Sequence, residues 1–137
     1  MRRFATPLLL AYVLGVLALT LPPDFSPDPT DYLGETAWTP LRLEPFEVDA
    51  PSFLLNVVMF VPFGVLLPLR LPWAGTFWRM LACAVAASLS IEIAQLIINL
   101  TLDGRRTVDI NDLVANAVGG LLGLGLLRLA RPGQPSR

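Results

Sequence analysis

Four long apolar stretches, a charge imbalance between their connections, and polar residues recurring at helical spacing inside two stretches define the expected architecture. It is an all-α integral membrane bundle of four transmembrane helices with both termini cytoplasmic. The 137 residues suit one domain, 1–137. Hydrophobic residues make up 54% of the chain and the mean hydropathy is +0.61, above the usage of soluble proteins. The chain has no His and no Lys. Cys83 is its single cysteine, so no intrachain disulfide or multi-thiolate metal site can form. In its apolar setting Cys83 reads as a small buried hydrophobe.

The first helix is expected over about 4–21. Met1-Arg2-Arg3 precedes an apolar run broken only by Thr6, Pro7, Gly15 and Thr20. At 1.5 Å per residue the run reaches about 27 Å, enough to span. A cleaved signal peptide has the same opening, but the run is long and no clear small-x-small site precedes Pro22-Pro23. Residues 22–51 form a Pro-rich acidic loop. Pro22, Pro23, Pro27, Pro29, Pro40, Pro45 and Pro51 forbid a long helix. Tyr32, Trp38 and Phe46 are spaced as interfacial anchors.

The second helix is expected over about 52–71. Pro62 and Pro68 are tolerable in a membrane, with a kink near Pro62. The turn Arg70–Arg79 places Trp73 and Trp78 beside two arginines, as an interfacial belt would. The third helix covers about 77–102 and is long enough to span with tilt. Its Asn99-Leu100-Thr101 matches a glycosylation sequon but falls at the membrane edge and is discounted. The fourth covers about 110–130, where Ala115, Gly119 and Gly123 stand at four-residue spacing and permit close helix packing.

Orientation follows from arginine. With the N-terminus inside, the cytoplasmic parts hold Arg2, Arg3, Arg70, Arg79, Arg128, Arg131 and Arg137 and no acid. The outer connections hold Arg42, Arg105 and Arg106 with nearly every acid. The split of seven to three puts both ends in the cytoplasm.

Within the third helix Ser88, Glu92, Gln95 and Asn99 share one narrow face at spacings of four, three and four. Asp109, Asp112 and Asn116 do the same at the start of the fourth, and Asn56 lies about a turn inside the second. By helical rise Asn56, Glu92, Gln95, Asn99, Asp112 and Asn116 fall in the outer half of the membrane, and they would share one half even in an inverted topology. Glu92 is the sharpest of them. A charged residue near the bilayer centre costs about 2.5–3.5 kcal/mol on insertion scales, so Glu92 should face the interior and have a partner. That partner could be Arg105, Arg106 or a ligand. Alternatively Glu92 is protonated, and a neutral acid beside ionised ones suits a general acid or proton carrier. The plainer reading is that Glu92, Gln95 and Asn116 join the third and fourth helices by hydrogen bonds.

Arg105 and Arg106, beside a polar cleft, suit recognition of phosphate or carboxylate, or else simply balance Asp103 and Asp109. Asp109 is the better N-cap of the fourth helix and Asp112 the better cleft residue. No metal site is assigned, although the oxygens of Glu92, Asp109, Asp112 and Asn116 form a minor candidate for Mg²⁺ or Ca²⁺.

The residues also carry a resemblance. Asn56-x-x-x-Phe60-x-Pro62-Phe63-Gly64, Ser88-x-x-x-Glu92-x-x-Gln95 and Arg106-x-x-Asp109-x-x-Asp112-x-x-x-Asn116-x-x-Gly119 together resemble the VanZ-like family of small polytopic bacterial membrane proteins. The similarity spans about Asn56–Gly123, and Leu43-Glu44-Pro45-Phe46 is similar to the family's Pro-Phe segment, with Glu44 a departure. The resemblance implies a polytopic inner-membrane protein of the cell envelope, some members being linked to tolerance of teicoplanin or related glycopeptides. It implies no reaction.

Three functions fit these residues. The first is an outward-facing intramembrane site that recognises or processes an anionic envelope lipid or lipid-linked precursor. Glu92 and Asp112 are its candidate catalytic groups, and Asn56, Gln95, Arg105, Arg106, Asp109 and Asn116 its ligand-binding groups. Whether it does chemistry or only binds stays open, and with no His any reaction must use carboxylate or metal-assisted chemistry. The second is a proton-coupled transporter or flippase, which with four helices needs an oligomer. The third is a non-catalytic membrane scaffold. A soluble enzyme and a nucleic-acid binder are excluded by the apolar spans and by the absence of a basic patch.

Overall fold

The computed structural model describes residues 2–22, 41–42, 50–102 and 108–131. Four helices make up nearly all of it: α1 (Arg2–Thr20), α2 (Ala50–Arg70), α3 (Phe77–Leu102) and α4 (Ile110–Leu129). These bounds differ from the expected ones by no more than two residues at any end. A 3₁₀ turn, Pro72–Gly75, joins α2 to α3. Two short strands, β1 (Leu41–Arg42) and β2 (Val108–Asp109), pair in parallel, with Leu41 opposite Val108 and Arg42 opposite Asp109. Most of the Pro-rich loop lies outside the described residues, as do Arg105 and Arg106.

Helices α2, α3 and α4 are long and apolar enough to cross a membrane, at 21, 26 and 20 residues with mean hydropathies of 2.1, 2.0 and 1.5. The apolar part of α1, Phe4–Thr20, is shorter. It extends about 25 Å against a hydrocarbon core of about 30 Å. Polarity in the bundle is turned inside out. Ser88 and Glu92 are 0% and 5% exposed, whereas Leu100 and Leu126 are 64% and 53% exposed. Ser88 and Glu92 lie on one face of α3, and Leu89, Ile93, Ile97 and Leu100 lie on the other. Such an arrangement is stable only where lipid covers the outside.

The small residues of α4 set the packing. A Cβ at Gly119 would meet the Val57 carbonyl and one at Gly123 the Val61 carbonyl, while a Cβ at Gly64 would run into the backbone of Gly120 and Leu124. Residue numbers rise together along this contact, so α2 and α4 are parallel and their backbones touch. On its other side α4 meets α3 antiparallel. Gly120 faces Ala84, and Asn116 reaches Ser88. Helix α1 lies antiparallel on α2, tied where Tyr12 Oη donates to the Met59 carbonyl at 2.8 Å. Pro62, where a kink is expected, and Pro68 both fall inside α2, which stays helical through them.

These directions sort the helix ends. The C-termini of α1 and α3 and the N-termini of α2 and α4 gather at one end. The opposite end carries Arg70, Arg79, Arg128 and Arg131 around the 3₁₀ turn. There Arg128 Nη2 donates to the Gly75 carbonyl at 2.7 Å and Arg79 Nη1 to the Trp73 carbonyl at 3.3 Å. Between this end and the middle of the bundle lies an apolar cluster of Leu67, Ala74, Met80 and Leu124, with Cys83 packed against it.

Candidate functional site

Antiparallel packing of α3 on α4 converts two polar stripes into facing rungs. The deepest rung is Ser88 and Asn116, where Asn116 Nδ2 donates to Ser88 Oγ at 2.8 Å. One helical turn nearer the polar end, Glu92 from α3 and Asp112 from α4 border the same cavity. At the next turn Gln95 leaves the α3–α4 line and reaches α1. Its Nε2 donates to the Thr20 carbonyl at 2.8 Å, capturing an acceptor that the end of α1 leaves without an intrahelical donor.

The cavity has a volume of about 60 Å³. All four helices contribute to it: Thr20 from α1, Ser52 and Asn56 from α2, Glu92 and Gln95 from α3, and Asp112 and Asn116 from α4. Met59, Phe60 and Ile91 complete its apolar wall. Helical rise puts Asn116 about 9 Å along α4 from Ile110, and Glu92 about 15 Å along α3 from Leu102. Thr20, Glu92, Gln95 and Asn116 are all buried. The Thr20 hydroxyl is committed to the Val16 carbonyl at 2.8 Å. Asn116 Oδ1 is buried and accepts no hydrogen bond from the protein.

Past the Ser88–Asn116 rung the interior is apolar. Ala84, Met80 and Gly120 come next, followed by Leu124 and Leu67, all buried. Within the described residues the polar space is therefore closed on this side by packed apolar side chains.

The structure thus brings together Asn56, Glu92, Gln95, Asp112 and Asn116. Asp109 stands apart from the cavity lining. Its Oδ1 accepts from the backbone N–H of Asn111 and from Asn111 Nδ2, both at 2.8 Å, and caps α4. The oxygens of Glu92, Asp109, Asp112 and Asn116 are accordingly split between a cavity and a cap. Asn99, on the same α3 face, is buried but does not line the cavity. Arg105 and Arg106 lie in the connection outside the described residues. Thr20 and Ser52 line the cavity without having been singled out from sequence, and Asn111 is a further buried polar residue of this end. Thr20 is a lone polar residue at the end of an apolar run, so no periodicity marks it; only the Gln95 contact does.

A family model described as VanZ/LLP1 matches residues 7–131. A curated relative, Protein VanZ of Enterococcus faecium, is 36% identical over 92 residues, covering 66% of this chain and 53% of that protein. The chain therefore spans about half the length of the curated relative it matches. No solved structure matches the chain. The family match includes every cavity-lining residue, α2 to α4, and α1 from Pro7 onward. The chain belongs to the VanZ/LLP1 family, and it is a multi-pass bacterial membrane protein.

Proposed function

We propose that the cavity is a binding site for the polar head of an envelope lipid or lipid-linked precursor, open to the outer leaflet, with Glu92 and Asp112 positioned to take or give a proton. The observation that carries this reading is the convergence of polar side chains from all four helices on one cavity within the membrane-spanning part of the bundle. Hydrogen bonding between two helices needs one or two such residues. Here seven polar residues drawn from four helices line one cavity.

Arg105 and Arg106, in the short connection between α3 and β2, are the groups we assign to the phosphate of such a head. The apolar closure beyond Ser88 and Asn116 weighs against a continuous transport path in this conformation. Outward orientation and cytoplasmic termini belong to the same proposal, supported by the arginine distribution. A contribution to teicoplanin tolerance, through binding or altering the lipid precursor such drugs engage, follows as the cellular consequence.

The test is the lipid that accompanies the protein. Wild type, Glu92→Gln and Asp112→Asn are purified from the same membranes, and the co-purified lipids are quantified by mass spectrometry. The proposal expects one headgroup class enriched over the bulk membrane with wild type and depleted with both isosteres. A bulk-membrane profile for all three proteins contradicts it and favours a scaffold.

A further inference from the structure

We propose that the end of the bundle away from the cavity carries a docking site for the phosphate of an anionic phospholipid, formed where Arg79 and Arg128 meet the turn between α2 and α3. The site is separate from the cavity, and the inference holds whichever way the protein lies in the membrane.

The turn Pro72–Gly75 is a fixed platform. Ala74 is fully buried, and its N–H donates to the Leu71 carbonyl at 2.9 Å, while the Leu71 N–H donates to the Leu67 carbonyl at 2.7 Å. Arginines from two other helices reach this turn. Arg128, in the last turn of α4, donates through Nη2 to the Gly75 carbonyl at 2.7 Å, and Arg79, in the first turn of α3, donates through Nη1 to the Trp73 carbonyl at 3.3 Å. The two acceptors belong to one short turn, so both guanidinium groups are tied to the same platform. Arg70 closes α2 just before it. Each carbonyl takes one of a guanidinium's five N–H donors. All three arginines are exposed, so donors remain for a group outside the protein.

No acid of these helices answers the charge. The sequence has no Asp or Glu in 50–91 or in 113–137. Glu92 stands about 20 Å along α3 from Arg79, and Asp112 about 24 Å along α4 from Arg128. Arg70 and Arg128 sit at helix C-termini, where the macrodipole favours a cation. Arg79 has no such excuse: it opens α3, at the positive end of the helix, in a first turn without an acidic residue. An anion bridging Arg79 and Arg128 compensates that excess. The neighbouring aromatic residues set the depth. Trp73 and Trp78 are 51% and 75% exposed at this end, as side chains at a membrane–water interface are, so the guanidinium groups lie at the level of lipid phosphates. Guanidinium pairs with phosphate through two parallel N–H···O bonds, and basic clusters among helix ends recognise anionic headgroups in this way.

The experiment uses the full chain carrying Trp38→Phe, which leaves Trp73 and Trp78 as its tryptophans, both reporting from this end. The protein is reconstituted in mixed bilayers, and quenching of its fluorescence by phosphatidylglycerol with brominated acyl chains is compared with quenching by brominated phosphatidylcholine. The proposal expects phosphatidylglycerol to be preferred about five-fold or more, the effect of one arginine at an anionic surface. Combining Arg79→Lys with Arg128→Lys keeps the charge and removes the planar fork, and should bring the preference toward parity. Equal affinity for the two lipids in the Trp38→Phe protein overturns the proposal. A full preference retained by the lysine pair overturns it too, since the arginines then act as general surface charge. If inorganic phosphate at constant ionic strength removes the preference, the site takes a soluble anion and the lipid assignment falls. The comparison of the two lipids needs no arginine variant, so it stands even if the lysine pair folds poorly. None of these outcomes bears on the cavity.

Discussion

The backbone contact between α2 and α4 decides whether Asn56 and Asn116 can share a cavity, so a single methyl group placed in that contact is a direct perturbation. Gly64 is the most constrained position. A Cβ there would stand 2.8 Å from the Gly120 carbonyl carbon and 2.9 Å from the Leu124 nitrogen. Comfortable contact is about 3.5–4.0 Å and the Gly120 carbonyl oxygen lies nearer still, so the helices must part by roughly 1 Å or more. No side chain can swing aside, because the obstructing atoms are backbone on both counts. A gap of that size forfeits a quarter to a half of the dispersion energy at each contact it opens. The contact also runs on through Val57–Gly119 and Val61–Gly123. We expect Gly64→Ala to destabilise the bundle by about 3 kcal/mol, the upper part of the range for overpacked interiors. Gly125→Ala is the matched control. Nothing lies within 4 Å of its added Cβ, and Ala is the better helix former, so stability should hold or rise slightly. Reversible unfolding of both variants in one detergent, followed by helical circular dichroism, makes the comparison. Equal stability of Gly64→Ala and Gly125→Ala would refute the parallel, touching arrangement of α2 and α4.

Other consequences follow from single contacts. Asp109→Ala removes the side-chain cap of α4 and the tie to Asn111, and should cost about 1 kcal/mol in the same unfolding assay; no change would mean that the cap is idle. Gln95→Leu leaves the Thr20 carbonyl without its donor, so α1 should loosen from α3 at a cost of about 1 kcal/mol, visible as faster amide exchange at the C-terminal turn of α1; unchanged exchange there would show that α1 is held by other contacts. A C-terminal fusion should fluoresce when the reporter is a cytoplasm-folding fluorescent protein and stay inactive when it is an alkaline phosphatase. The opposite pattern would place the Arg70, Arg79, Arg128 and Arg131 end outside.

Much of the fold was legible because the membrane imposes simple rules. Apolar length marked the helices to within two residues, since a span needs an unbroken apolar stretch and the connections need not be apolar. Small residues at 115, 119 and 123 announced close packing, and the structure supplies the partner, α2. Neighbour identity was not written in the periodicity. The α4 glycine face could have met any helix, and only the carbonyls of Val57 and Val61 show which one it chose. For the candidate site, the stripes on α3 and α4 were legible because four polar residues on one face of an apolar helix have few other uses. Thr20 and Ser52 were not, because each is a single polar residue near a helix end, where serine and threonine are ordinary. Their place at the cavity follows from tertiary packing of α1 and α2 on α3. The division of labour between the two aspartates was foreseeable from helix geometry: Asp109 precedes α4 and caps it, and Asp112, one turn on, faces the cavity.

The central claim is that this bundle keeps a carboxylate in its membrane interior for function and not for stability. The most direct measurement compares thermal unfolding of wild type and Glu92→Gln, purified in the same detergent without added lipid. Gln keeps the shape of Glu and one acceptor oxygen, turns the other oxygen into an NH₂ donor, and carries no charge, which is costly at this depth. The account predicts a clearly higher midpoint for Glu92→Gln, as when a functional group is held against the interest of stability. A clearly lower midpoint would contradict it, making Glu92 a structural member of the α3–α4 contact and the polar cavity a by-product of packing.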